Sequence, residues 1–483
     1  MAAERLSALD ASFLAIEGPS AHMHVGWAAT FAAPEHGPRP DFAALYEHIA
    51  GRLDRAPRFR QRLAPVPLGI HSPLWVDDED FDAARHIHRS AAEDLPELAD
   101  AVLSTPLPRD RPLWEFWIAD RLHDGRIGLV GKAHHCMVDG IAAVELGSLL
   151  LDSAPDASPP GDAGGWLPAP VPGGLELLAR GVLDRTREQL GLLRLPLRLA
   201  RSPLALPGLG LRAARTLVQA LPVAPASTLN EPGSPQRHLA TLRRPLAELR
   251  ALRRARGATL NDVLLAAVAG ALRRHAERHG EAPHDLKSMV PVNVRSDDAD
   301  DLGNRISFLF VELPCSLPDP TDRLLTVNRA MRTRKQAGLP EDADAALQVM
   351  AHAPRPVQHA AAHVLASPRV YNLVVSNIPG PRPTMFMRGC RLIDAYPVVP
   401  LSNRHALSVG MTTIGEHACF GLHADPETLP DADALADDLD AAIDELLATI
   451  DEPTETSPWP TQRRPGSRSE TPSRPSRYPT PAG

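Results

Sequence analysis

His134-His135-Cys136-Met137-Val138-Asp139-Gly140 stands between an apolar β-like run, Ile127-Gly128-Leu129-Val130, and an apolar helix-like run from Ile141 to Leu151. A strand that ends on polar residues and turns into a helix fixes their backbone and presents their side chains at the rim of a cleft. A neutral imidazole, with an ordinary pKa of about 6.5, removes a proton near neutral pH and returns it later. A lone histidine beside an apolar run is usually a packed core residue. Two adjacent histidines followed by Asp-Gly at this spacing are seldom accidental, and the stretch reads as a proton-transfer site.

Working outward, residues 1–152 alternate helical and strand patterns. Phe42 to Leu53 and Glu97 to Leu103 have helical spacing, whereas Leu74-Trp75-Val76, Leu113 to Ile118 and Ile127 to Lys132 read as strands. Residues 153–236 form a linker and crossover. The stretch opens with Pro/Gly-rich sequence and continues with leucines set among Arg180, Arg185, Arg187, Arg194, Arg198, Arg201, Arg212 and Arg215. Helical spacing with a basic face suits either a membrane-surface element or helices packed on the protein body, and Pro196, Pro203 and Pro207 are expected to break any single long helix. Residues 237–451 form a second α/β half. It holds helices over Leu246 to Arg256, Asn261 to Glu277 and Asp431 to Ile450. Its strands cover Met289 to Val294, Ile306 to Leu313, Leu373 to Val375, Leu407 to Thr412 and Ala418 to Leu422. Residues 452–483, rich in Pro, Ser, Thr and Arg, have nothing to bury and are expected to be disordered.

A chain of 483 residues exceeds what one hydrophobic core organises, so two domains are expected. The formal net charge of −8 gives no pull toward nucleic acid or anionic lipid. No apolar run reaches the roughly 18–20 residues of a membrane span, and Met1-Ala2-Ala3-Glu4-Arg5 does not begin a signal peptide, so a cytoplasmic chain is expected. Cys136, Cys315, Cys390 and Cys419 show neither metal-ligand spacing nor a disulfide framework, and no metal is expected.

Other segments sharpen this reading. They are Leu6-Ser7-Ala8-Leu9-Asp10-Ala11-Ser12-Phe13-Leu14, His22-Met23-His24-Val25-Gly26, Pro112-Leu113-Trp114, Asn261-Asp262, Pro291-Val292-Asn293-Val294-Arg295, Gly303-Asn304 and Ser376-Asn377-Ile378-Pro379-Gly380-Pro381. In this order, with the two-histidine motif, they resemble the bacterial wax ester synthase/diacylglycerol acyltransferase family from about Leu6 to about Leu447. The motif alone is shared with other acyltransferases similar in fold to chloramphenicol acetyltransferase and with nonribosomal peptide condensation domains. The resemblance implies an α/β fold of two chloramphenicol-acetyltransferase-like halves with a central tunnel between them. Long-chain acyl-CoA would enter from one face, and diacylglycerol or a fatty alcohol from the other. It implies no cofactor beyond acyl-CoA as substrate, and a peripheral place on the inner face of the membrane or on lipid droplets.

On this resemblance His135 is the general base, a role that typically supplies about 10²–10⁴-fold. His134 supports the turn or lines the channel, and Cys136 is a small packing residue. Asp139 corresponds to an aspartate that, in related folds, pairs with an arginine from the other half, here Arg295. Losing one partner of a buried pair costs roughly 3–5 kcal/mol, so Asp139 reads as structural. Gly140 suits a tight turn. Asn261 either caps a helix with Asp262 or belongs to the channel, as the family implies. Ser376 and Asn377 end a strand before a rigid loop, where they serve as oxyanion donors or as a turn. Two further readings stay open: acyl or peptidyl transfer from a carrier protein, and a lipid-binding protein without catalysis.

Overall fold

The computed structural model describes residues 4–138, 150–157, 166–199, 223–293, 306–339 and 353–451. Asp139, Gly140, Arg295, Gly303, Asn304 and the tail from residue 452 lie outside the described residues, as does the crossover from 200 to 222.

In the first half the chain runs β1 (Glu4–Arg5), α1 (Ala8–Ile16), β2 (His24–Phe31), α2 (Phe42–Ala50), β3 (Gln61–Ala64), β4 (Leu74–Asp77), β5 (Ile87–Arg89), α3 (Leu95–Leu103), β6 (Trp114–Ala119) and β7 (Ile127–His134). The crossover helix α4 (Gly174–Leu199) follows. In the second half come β8 (His238–Pro245), α5 (Leu246–Arg256), α6 (Leu260–Arg278), β9 (Leu286–Asn293), β10 (Ile306–Leu313), α7 (Pro320–Gln336), α8 (Arg355–Leu365) and β11 (Leu373–Asn377). It closes with β12 (Phe386–Met387), β13 (Cys390–Val398), β14 (Leu407–Ile414), β15 (His417–Ala424) and α9 (Ala432–Asp451). The helix α4 runs across Pro196, where a break was expected, so the first of the three prolines does not end it.

Two six-stranded sheets organise the molecule, ordered β12-β13-β2-β7-β6-β5 and β10-β9-β11-β14-β15-β8. The division near residue 237 therefore follows the chain but not the sheets. The strands β12 and β13 leave the second half and complete the sheet of the first, β13 lying antiparallel to β2 with Tyr396 opposite Ala28 and Val398 opposite Gly26. Close approach to the second sheet is possible because Gly421 has no side chain: a Cβ there would lie 2.3 Å from the Pro397 carbonyl oxygen. Asp394 on β13 is buried and bridges the halves. It accepts from Arg126 at 3.0 Å and from Thr30 at 3.2 Å, and meets Arg243 of β8 at 2.8 Å.

Each sheet carries its own hydrophobic core. In the second half α6 is buried almost continuously from Asp262 to Leu272 against α9, α7 and α5. Its start is a capping box. The Thr259 side chain accepts from the Asp262 N–H at 3.1 Å, and the Asp262 carboxylate accepts from the Thr259 N–H at 2.8 Å and from Asn328 at 2.9 Å. The capping expected of Asn261 and Asp262 together thus falls to Thr259 and Asp262, while Asn261 sits half-buried in the first turn.

His238 fastens the halves from another side. Its Nδ1 is 2.7 Å from Asp100 of α3, and its Nε2 is 3.2 Å from Asp433 of α9. The hydrogen bond with Asp100, helped by Asp433, raises its pKa to about 9. Burial instead lowers His48 to about 4 and His423 to about 3. A raised pKa stabilises fully below the unfolded value of about 6.5 and is lost as pH climbs through 9; a lowered one is lost as pH falls below about 6.5. Thermal stability should therefore peak near neutrality. In melts across pH, His238→Gln should flatten the alkaline limb between about 6.5 and 9 and leave the acid limb in place; an unchanged alkaline limb would remove His238 from this role.

Candidate active site

The strands β2 and β7 pair antiparallel with His24 directly opposite His134. Side chains alternate along a strand, so Lys132 and His134 face the same way. Lys132 is buried, and its ammonium donates to Val102 O at 2.8 Å and Thr105 O at 2.6 Å, satisfying carbonyls at the end of α3. This anchors the strand two residues before the motif.

His134 is fully buried. Its Nδ1 accepts from the Cys136 N–H at 3.1 Å, which leaves the proton on Nε2, 3.8 Å from a Glu17 carboxylate oxygen. Glu17 in turn pairs with Arg109. Burial holds the His134 pKa well below the ordinary value, with smaller contributions from Arg109 and His135. The imidazole is therefore neutral and serves as a clasp for the turn that begins at His135. Burial also pushes the Cys136 thiol far up, so no thiolate nucleophile stands here.

His135 leaves the strand and is half-buried. Its backbone N–H donates to Met23 O at 2.9 Å, and its ring stacks on Phe13 with centroids 3.8 Å apart and planes 15° from parallel. Met23 carries a φ of 50°, a left-handed conformation that costs a non-glycine residue about 1–3 kcal/mol. The strain falls on the residue whose carbonyl holds His135. Phe13 comes from α1, which Ser7 caps by accepting from the Asp10 N–H at 3.0 Å, and α1 packs along α8 of the second half. The second imidazole wall is His24, buried with its pKa well lowered, first by burial and then by Lys132. Phe13 and His24 lie in segments that mark the family, Glu17 lies between them, and local spacing assigns none of these side chains a part. Only the folded register brings them to the motif.

Ser376 and Asn377 close β11, parallel to β14, with Ser376 opposite Gly410 and Asn377 opposite Met411. Ser376 is buried and Asn377 half-buried. The following loop presses on β14: Ile378 N–H donates to Met411 O at 2.8 Å, and a Cβ at Gly380 would overlap the Thr413 carbonyl. The structure therefore gathers His134 and His135 with His24, Phe13 and Glu17 on the first sheet. It sets Ser376 and Asn377 at a strand end of the second, and Asn261 over the second core.

Two facing α/β halves, with a strand pair passed from the second to the first and a His-His turn at a strand end, define a CoA-dependent-acyltransferase-like protein. The sequence profile of the wax ester synthase/diacylglycerol acyltransferase catalytic domain matches residues 6–264, and that of the WS/DGAT C-terminal domain matches residues 302–447. The chain belongs to this family. It is 32% identical over 447 residues to the probable diacylglycerol O-acyltransferase tgs1 of Mycobacterium tuberculosis, covering 89% of this chain and 93% of that one. To tgs2 of the same species it is 31% identical over 435 residues, covering 87% and 94%. Among solved structures it is similar to the wax ester synthase/diacylglycerol acyltransferase from Marinobacter aquaeolei VT8, with a TM-score of 0.66, 26% identity, and coverage of 93% of this chain and 100% of that one. The first condensation domain of the calcium-dependent antibiotic synthetase shares the fold, with a TM-score of 0.58 at 18% identity over 94% of this chain and 98% of that one.

A stacked aromatic pair contributes about 0.5–1.5 kcal/mol beyond area burial. Phe13→Leu keeps the apolar contact and removes the ring face. Turnover should fall by roughly 2- to 12-fold with KM and melting temperature nearly unchanged. A variant as fast as wild type would show that the stack does not hold His135 for chemistry.

Proposed function

We propose that the protein transfers the acyl group of a long-chain acyl-CoA to the hydroxyl of diacylglycerol, forming triacylglycerol, with fatty alcohols as alternative acceptors that give wax esters. The observation that carries this reading is the hold on His135: its amide is tied to Met23 and its ring is stacked on Phe13, at the turn of the two-histidine motif. In the proposed reaction His135 accepts the hydroxyl proton as the acceptor oxygen bonds to the thioester carbon. The tetrahedral oxyanion then collapses, the C–S bond breaks, and the proton passes from His135 to the departing thiolate. A thioester is already activated, so no covalent enzyme intermediate, metal or cofactor is called on. His134 stays neutral and holds the turn, and Asn377 or Ser376 donates to the oxyanion. The names of the mycobacterial relatives support diacylglycerol as acceptor, and the Marinobacter protein supports the wax ester activity.

CoA release by the purified chain, given palmitoyl-CoA with diacylglycerol and separately with hexadecanol, tests the proposal. Release with diacylglycerol should fall at least about 10²-fold in a folded His135→Ala variant, and Asn377→Ala should lose about 10²–10³-fold if it supplies an oxyanion donor. A folded wild type silent with both acceptors would favour a carrier-protein donor or a lipid-binding role instead.

A second observation bears on location. No described helix is long and apolar enough to cross a membrane. Yet α4 exposes Leu175 at 85%, Val182 at 52% and Leu183 at 49% beside Arg180 and Arg187. Gly181 seats that helix on Val66 and Ile70, next to the fully outward Leu68. Arg180 and Arg187 are paired with Glu176 and Asp184, so it is the apolar side chains on this exposed surface that support peripheral docking on a bilayer. In vesicle sedimentation, Leu68→Ser/Val182→Ser/Leu183→Ser should release the protein from phosphatidylglycerol vesicles while CoA release from a detergent-dispersed acceptor persists; equal sedimentation of variant and wild type would remove this surface from membrane binding.

A further inference from the structure

His275 in the last turn of α6 and His279 at its C-cap, four residues apart, lie on one side of the helix end, and the chain entering α9 brings Asp431 against both. Asp431 Oδ2 lies 3.5 Å from His275 Nδ1 and 3.5 Å from His279 Nε2. Four-coordinate zinc with Zn–N and Zn–O bonds near 2.0–2.1 Å spaces its ligands about 3.4 Å apart. Two edges of such a polyhedron are thus already set.

The ring tautomers are set as well. His279 Nδ1 is 2.9 Å from the His275 carbonyl oxygen, an acceptor only, so Nδ1 carries a proton and Nε2 is the ring nitrogen presented to Asp431. An N–H held by a carbonyl is the usual outer support of a metal-bound histidine. On His275, Nδ1 is the acceptor, since it takes a hydrogen bond from the Arg278 guanidinium, a pure donor, at 3.1 Å. Glu281 stands close by and a helix C-terminus is the negative end of its dipole, while Asp438 is already paired with Arg278.

We infer that His275, His279 and Asp431 form a binding site for a divalent transition metal of the zinc type, joining the end of α6 to the start of α9. Arg278 occupies the same ground. One of its nitrogens donates to Asp431 at 2.7 Å while also reaching His275, so a cationic group already satisfies the donors. Its other nitrogen holds Asp438 at 2.7 Å, an anchor that remains when the metal displaces the first contact. Metal and guanidinium compete for one carboxylate and one imidazole. The site is remote in the chain from the two-histidine motif, goes beyond the acyl-transfer reading and takes no part in that chemistry. Its effect is to staple two helices that pack over the second core.

Titration of the untagged full-length chain with Zn²⁺, followed calorimetrically, and with Co²⁺, followed by its visible absorption, tests the inference. Wild type should bind one equivalent and melt at higher temperature with the metal present. Arg278→Ala should bind roughly fivefold tighter, because a partly exposed ion pair no longer competes. Loss of even an outer-shell partner weakens metal sites about 10–100-fold, so His279→Ala, at an exposed position, should weaken binding at least tenfold while its metal-free melting temperature holds. Binding unchanged by His279→Ala, or binding no tighter in Arg278→Ala, would overturn the site. Neither readout depends on turnover, so failure here is distinct from failure of the acyl-transfer reading.

Discussion

The hydrogen bond from the His135 amide to the Met23 carbonyl ends the β2–β7 ladder and converts a strand register into a site. With β2 and β7 aligned so that His24 faces His134, the next residue has one place to go: out of the sheet, onto the carbonyl of Met23 and under the ring of Phe13. A shift of one residue would turn every side chain to the opposite face. It would turn Lys132 and His134 away from their partners and break the bonds by which Lys132 closes α3. The strain at Met23 persists because the surrounding ladder leaves no alternative.

The second constraint is the strand pair passed between halves. β13 completes the first sheet while lying against the second, so the first sheet is not whole without strands from the second half of the chain. Asp394 concentrates this dependence, since its buried carboxylate meets Arg126 and Thr30 from one half and Arg243 from the other. Breaking a buried charge network leaves desolvated groups unpaired, so relative motion of the halves is costly. That rigidity matters for a reaction whose proposed base stands on one sheet and whose proposed oxyanion donors stand on the other.

The His-His turn itself shows two adjacent identical residues given opposite environments. His134 is buried, neutral and committed to the Cys136 amide, whereas His135 is half-buried with its ring face on Phe13. Burial closes the first to solvent, and its position beyond the strand end leaves the second partly open. The same logic separates Cys136, whose thiol is pushed up by burial, from any nucleophilic role.

Much was legible in the chain. Local apolar spacing located α3, α5, α6, α9, β7 and β10 to within a few residues, because each buries one continuous stripe or run. The ordered motifs pointed to the family, since they carry the residue types that its chemistry requires. Among the elements that spacing missed are β2, which is buried on both faces and so lacks alternation, and β8 and β13, whose partners in the sheets come from distant parts of the chain. The cap of α6 passed from Asn261 to Thr259 because a cap is chosen by where the helix begins, which packing decides. By itself the sequence determined the family and the two-half α/β class and located the two-histidine turn, with His135 as the proposed base. Only the tertiary structure decided that β13 crosses to the other sheet, that Phe13 and His24 wall the histidines, and that Asp431 meets His275 and His279. Those contacts join residues far apart in the chain, and local chemistry carries no record of which distant partner the packing of two sheets will bring near.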